Sequence, residues 1–103
     1  MHAQPKIWRG FIVKKIKMTV YGRVQGVGFR YMTKMVADQI GISGIVRNED
    51  DGSVYIEAVG PSDKIDAFIA AVKRSPSPSG RVEVCTINED ANIENYISFR
   101  VTN

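Results

Sequence analysis

From Ile16 the chain alternates, with Ile16, Met18 and Val20 on one side and Lys17, Thr19 and Tyr21 on the other. A period of two marks a strand with one buried face. After a glycine-bearing stretch, Phe29, Met32, Val36 and Ile40 recur at helical spacing, which predicts a helix with one apolar face. Gly41 stands where a left-handed stop is expected. Gly44 to Asn48 and the run through Val54, Ile56 and Ala58 read as two antiparallel strands, joined by a tight turn at Asp50-Asp51-Gly52. Ser62 is expected to cap a second helix, with Asp63 and Asp66 near its start and Ile65, Phe68, Ile69 and Val72 as its apolar face.

Ser75-Pro76-Ser77-Pro78-Ser79-Gly80 cannot continue that helix, because each proline lacks a donor and restricts its predecessor, so a loop is expected. A fourth strand is predicted from about Arg81 to Ile87, a polar loop from Asn88 to Asn95, and a short last strand on the alternation Ile97, Phe99, Val101. The order strand, helix, strand, strand, helix, strand is that of an α+β, ferredoxin-like split βαβ sandwich. Both helices are expected on one face of an antiparallel sheet that carries a short extra strand. That architecture hosts many unrelated activities and assigns none by itself.

At 103 residues and 44% hydrophobic, the chain suits one domain with one core. Its single cysteine, Cys85, cannot form an internal disulfide, and a reducing, cytoplasmic setting is expected. The net charge of +3 is unevenly spread. Five of the fourteen Lys/Arg residues precede Met18, where there is no Asp or Glu, and the rest of the chain has nine basic against eleven acidic residues. Residues 1–13 therefore read as a basic, flexible extension and residues 14–103 as the folded domain. With the positive charge in the extension, composition does not imply that the body binds nucleic acid. No apolar run reaches the roughly eighteen residues of a membrane span, and the longest early run, Phe11-Ile12-Val13, is too short for an export signal.

The candidate chemistry lies in two segments. Gly22 to Arg30 connects a strand end to a helix start, where backbone N–H groups lack helical partners and the macrodipole favours negative charge. Glycines allow the chain to curl around tetrahedral oxygens, and Arg30 can add a forked pair of charge-assisted hydrogen bonds. The run lacks the Gly-Lys-Ser/Thr of a nucleotide P-loop, and Tyr31 occupies the place of a third dinucleotide-fingerprint glycine. In the second segment, Gly44 to Gly52, Asn48 ends a strand just before the turn, where its amide can form the turn or hold a water.

Together the two segments, separated by a helix, resemble the acylphosphatase family, over roughly Met18 to Val101. The resemblance implies that the loop amides of Gln25, Gly26, Val27, Gly28, Phe29 and Arg30, with the Arg30 side chain, bind phosphate, and that Asn48 orients the attacking water. It also implies hydrolysis of acyl phosphates to a carboxylate and inorganic phosphate, with phosphate or sulfate as competing anions. No cofactor, no metal, no membrane or nucleic-acid partner and a monomer are expected. The loop from Ser75 to Gly80 departs from the Gly-Pro found in many members, a departure expected to leave the chemistry untouched.

Other phosphatase routes fit the inventory poorly. His2 is the only histidine and lies in the extension, and Cys85 has Ala91 where a thiol-phosphatase loop needs arginine. Asp50 and Asp51 could bind a metal, but an Asp-Gly turn accounts for them. Two rival readings keep the fold. An RNA-recognition module would need exposed aromatics on the central strands, where the chain offers Tyr55 and Tyr21, and a carbamoyl-phosphate-handling domain would keep the anion loop in a longer protein.

Overall fold

The computed structural model describes Lys6–Trp8 and residues 11–103, with side chains described from Ile12 onward. Its elements are β1 (Lys6–Trp8), β2 (Phe11–Arg23), α1 (Phe29–Ile40), β3 (Ser43–Asn48), β4 (Val54–Pro61), α2 (Ser62–Lys73), β5 (Arg81–Glu89) and β6 (Phe99–Thr102). They build one six-stranded sheet in which β2, β4, β3 and β6 lie side by side, while β1 and β5 pair with opposite ends of β2. Every pair but one is antiparallel, and β6 runs parallel to β3. The exception follows from the path of the chain. β5 ends beside Ile16, at the end of the sheet where β3 begins, so a link that stays at that end must send β6 up alongside β3.

The inward faces of the strands supply Ile16, Met18, Val20, Val46, Val54, Ile56 and Ala58, all at most 1% exposed. Both helices close over these residues, with Phe29 and Ala37 from α1 and Ile65, Phe68 and Val72 from α2. Phe68 and Phe99 meet with ring centres 5.8 Å apart in a tilted arrangement that aromatic pairs favour. The α1 face is turned slightly from the one its large apolar residues suggest. Its fully buried positions are Phe29, Thr33 and Ala37, with Val36 and Ile40 at the margin and Met32 half-buried, because small residues let the helix approach the sheet.

The boundaries differ from expectation in three places. β2 reaches back to Phe11 and pairs with Lys6–Trp8, so part of the basic segment is strand, while His2 and Arg9 lie outside the described residues. Ser62 does not cap α2. β4 runs straight into the helix, Pro61 takes the cap position, and no side chain bonds there. Ile97 is not in the last strand but 96% exposed, because pairing begins only where the Ser98 carbonyl accepts the Gly44 N–H at 2.9 Å.

β5 extends through Glu89, and the segment after it lies back against the sheet. Ile93 is buried, its carbonyl accepts from Lys15 Nζ at 2.7 Å, and the Tyr96 hydroxyl donates to Glu57 at 2.5 Å. Glu57 and Tyr55 alternate with the inward Ile56 and Ala58, so this contact lies on the sheet face away from the helices. Among the described residues no helix is long and apolar enough to cross a membrane.

Candidate functional site

The chain between β2 and α1 turns at Gly26 and Gly28, with φ of 73° and 75°. A Cβ at either would meet nothing within 4 Å, so the demand for glycine is conformational, and the left-handed region costs other residues about 1–2 kcal/mol. The first helical bond runs from the Met32 N–H to the Gly28 carbonyl at 3.0 Å, which leaves the N–H groups from Gly28 to Tyr31 without a helical acceptor. No side chain caps this end and no acid stands in its first turn. Donors and dipole together make the end of α1 attractive to an anion.

Arg30, in the first turn of α1, is held from the far edge of the sheet. Its Nη1 donates to the Thr102 carbonyl at 3.3 Å and to Asn103 Oδ1 at 2.6 Å. A guanidinium has five donors, so Nε and the two hydrogens of Nη2 stay available for a ligand. Asn48 closes β3, and its Oδ1 is buried without a protein partner. A buried polar atom in that state is uncommon.

These groups share one cavity of about 250 Å³, lined by Val24, Gln25, Gly26, Gly28, Phe29, Arg30, Tyr31, Asn48 and Val101. The residues singled out in the sequence are thus brought together, with one exception. Val27 does not line the cavity. Its carbonyl accepts a hydrogen bond from Ser77 Oγ at 2.5 Å, and Ser77 is 3% exposed. The loop from Ser75 to Gly80, expected to leave the site untouched, therefore fastens one peptide of the glycine-bearing turn.

Three further wall residues, Val24, Tyr31 and Val101, and one contact escaped the sequence reading. Tyr31 and Val101 form the exposed rim, at 66% and 38%. For Val101 the alternation along the last strand was a usable signal. The Gln25 side chain reaches across to the β3–β4 turn, where Nε2 donates to the carbonyls of Glu49 and Ser53, both at 2.9 Å. Backbone acceptors leave no trace in sequence, so nothing announced that contact.

The other candidates lie outside the cavity. Cys85 is half-buried on β5, and burial pushes its thiol above the ordinary value, the wrong direction for a nucleophile. Asp51 accepts from the Ser53 hydroxyl at 2.5 Å and the Ser53 N–H at 2.9 Å, which lowers its carboxyl below the usual value and closes the turn. Among the described residues no group of three or more His, Cys, Asp or Glu side chains is arranged to hold a metal ion. The Tyr55 ring, the aromatic an RNA-recognition surface would use, is covered by the Arg47 guanidinium 4.6 Å from its centre.

The acylphosphatase family model matches residues 16–101. An acylphosphatase of Enterococcus faecalis is 58% identical over 89 residues, covering 86% of this chain and 98% of its own. The crystal structure of acylphosphatase from Bacillus subtilis superposes with a TM-score of 0.83 at 38% identity, covering 89% of this chain and 100% of that one. Full-length HypF in its phosphate- and nucleotide-bound form aligns with a TM-score of 0.78 at 25% identity, over all of this chain but 13% of that one. The chain belongs to the acylphosphatase family and is an enzyme of that class.

Proposed function

We propose that the chain hydrolyses the carboxyl–phosphate bond of acyl phosphates in one step, by attack of a water held at Asn48, without metal or covalent intermediate. The phosphoryl oxygens lie against the free N–H groups of the turn and the first residues of α1, and the unoccupied Nε and Nη2 of Arg30 complete the grip. The water oxygen bonds to phosphorus as the bond from phosphorus to the carboxylate oxygen breaks. The carboxylate departs with the bonding electrons, and a water proton passes to a phosphate oxygen.

This division of labour suits a site without a strong general acid, because a carboxylate leaves without first being protonated. In a loose phosphoryl-transfer transition state the charge spreads over the equatorial oxygens, where the backbone donors and Arg30 act. The observation that carries the reading is the buried, protein-unpartnered Oδ1 of Asn48 on the wall of the cavity that Arg30 also lines. That oxygen accepts from the water and fixes its direction of attack.

The deciding experiment is turnover of benzoyl phosphate in the presence of a chelator, beside acetyl phosphate, carbamoyl phosphate and an ordinary phosphate monoester. Undiminished turnover of the acyl phosphates, inhibited competitively by inorganic phosphate or sulfate, is expected. Loss of activity with the metal would overturn the mechanism, and carbamoyl phosphate as sole substrate would narrow the activity to that compound.

A further inference from the structure

We infer that the Gln25 side chain is a positioning residue that sets the distance between the phosphate-binding turn and Asn48, so that it governs the attack rather than the grip on phosphate. The inference rests on the hydrolytic reading of this cavity.

Gln25 lies in the turn between β2 and α1 and Asn48 at the end of β3, and the two halves of the site have no covalent link shorter than α1 and β3. The carboxamide of Gln25 supplies a direct one. Its Nε2 gives one hydrogen to the Glu49 carbonyl and one to the Ser53 carbonyl, each at 2.9 Å. Both partners are carbonyls, which can only accept, so the nitrogen and not the oxygen of the amide must face them.

The two acceptors are the opposite arms of the β3–β4 turn. Glu49 immediately follows Asn48, and the Glu49 N–H itself donates to the Ser53 carbonyl at 2.9 Å. The turn is further tightened by Gly52 N–H on the Glu49 carbonyl at 3.2 Å and by Asp51 on Ser53. Gln25 therefore grips an already rigid turn at its base, one residue from Asn48. With both its N–H donors spent there, Nε2 has none left for the substrate, and the side chain acts through Asn48.

A shift of about 1 Å between reacting groups can cost on the order of a hundredfold in rate, so loss of this tether is expected to reach the chemistry while the turn keeps its own anion donors. In Gln25→Met, which keeps the length and removes the donors, kcat on benzoyl phosphate is expected to fall roughly tenfold to a hundredfold. The inhibition constant for inorganic phosphate is expected to stay within about twofold, since backbone donors and Arg30 supply that contact. In an Asn48→Ala background the same substitution is expected to change kcat less than about twofold, because residues acting as one unit are non-additive. A parallel loss of phosphate affinity, or an undiminished effect of Gln25→Met without Asn48, would overturn the inference. The side-chain amide signals of Asn48 in nuclear magnetic resonance give a readout independent of turnover. They are expected to shift or broaden in Gln25→Met, and unchanged signals would remove the tether even if wild-type protein proved inactive on every acyl phosphate, a result that would instead sink the hydrolytic reading.

Discussion

In the proposed mechanism Arg30 and Asn48 divide the work at the scale of single residues, and their surroundings say how. Arg30 is a charged group with donors to spare, held by Thr102 and Asn103, and in that mechanism its interaction with a phosphoryl group begins in the ground state. Asn48 offers one buried acceptor, which in that mechanism touches only the nucleophile. Replacing Arg30 by alanine is therefore expected to raise KM and lower kcat together. Asn48→Ala should leave KM nearly unchanged and lower kcat by about a hundredfold or more, as for other lost positioning amides. Steady-state kinetics on benzoyl phosphate separate the two, and wild-type turnover in Asn48→Ala would remove that residue from the mechanism. Both positions were foreseeable in the sequence as a strand end and a helix start, but the roles of the two side chains came from the resemblance to the family and not from their spacing. Tyr31 on the rim was less foreseeable, since an exposed aromatic in a helix has no periodic signature.

Elements matter here because they are fastened to each other by contacts that no local pattern encodes. The strand alternation and the helical spacing foretold β2, α1, β3, β4 and α2 with small shifts, since each buries a regular face. The segment after β5 was read as a polar loop because its one buried side chain, Ile93, is isolated among polar neighbours, and burial there comes from tertiary packing alone. Likewise the run from Ser75 to Gly80 was legible as a loop, but not as a brace. The Val27 carbonyl that Ser77 holds belongs to the same peptide plane as the Gly28 N–H, one of the free donors at the start of α1. Ser77→Ala leaves that carbonyl without its partner at a cost of about 1–3 kcal/mol if water cannot replace it. The plane is then free to rotate. Reduced thermal stability with weakened inhibition by inorganic phosphate is the expected outcome, the reverse of the pattern expected for Gln25→Met, and unchanged phosphate inhibition would show that Ser77 supports the fold only.

The sheet also sets a limit on substitution at Gly44, which pairs with Ala58 of β4. A Cβ there would lie 1.8 Å from the Glu57 carbonyl oxygen, and φ is 154°. The obstacle is backbone, which cannot swing aside as a side-chain tip could. Gly44→Ala is expected to destabilise the protein by about 3 kcal/mol or more, the size reserved for backbone strain and steric overlap in a core. Chemical denaturation would measure it, and a wild-type midpoint would mean that the two strands separate easily.

Over the whole molecule, the helix-free face of the sheet is closed by a tyrosine–glutamate cluster that ties the segment after β5 to the central strands. Glu57 accepts from Tyr55 at 2.6 Å and from Tyr96 at 2.5 Å. Burial, and then the hydrogen bond to Glu57, push the Tyr96 hydroxyl from an ordinary 10.0 up to about 12, and the Tyr55 hydroxyl higher still for the same causes. A group that holds its proton more tightly in the folded state stabilises that state in its protonated form. The contribution is therefore complete below pH 10 and disappears as pH rises through about 12, where a tyrosinate would face the Glu57 carboxylate. Alkaline unfolding followed by circular dichroism is expected to begin in that window, in step with the tyrosinate absorbance of the two residues. Glu57→Gln removes the negative charge but not the burial, so the Tyr96 titration should move down towards 10 without reaching it, and the fall in stability across the alkaline range should be smaller. An unmoved tyrosinate titration in Glu57→Gln would mean that burial alone holds these hydroxyls and that the cluster is not what fastens the segment after β5 to the sheet.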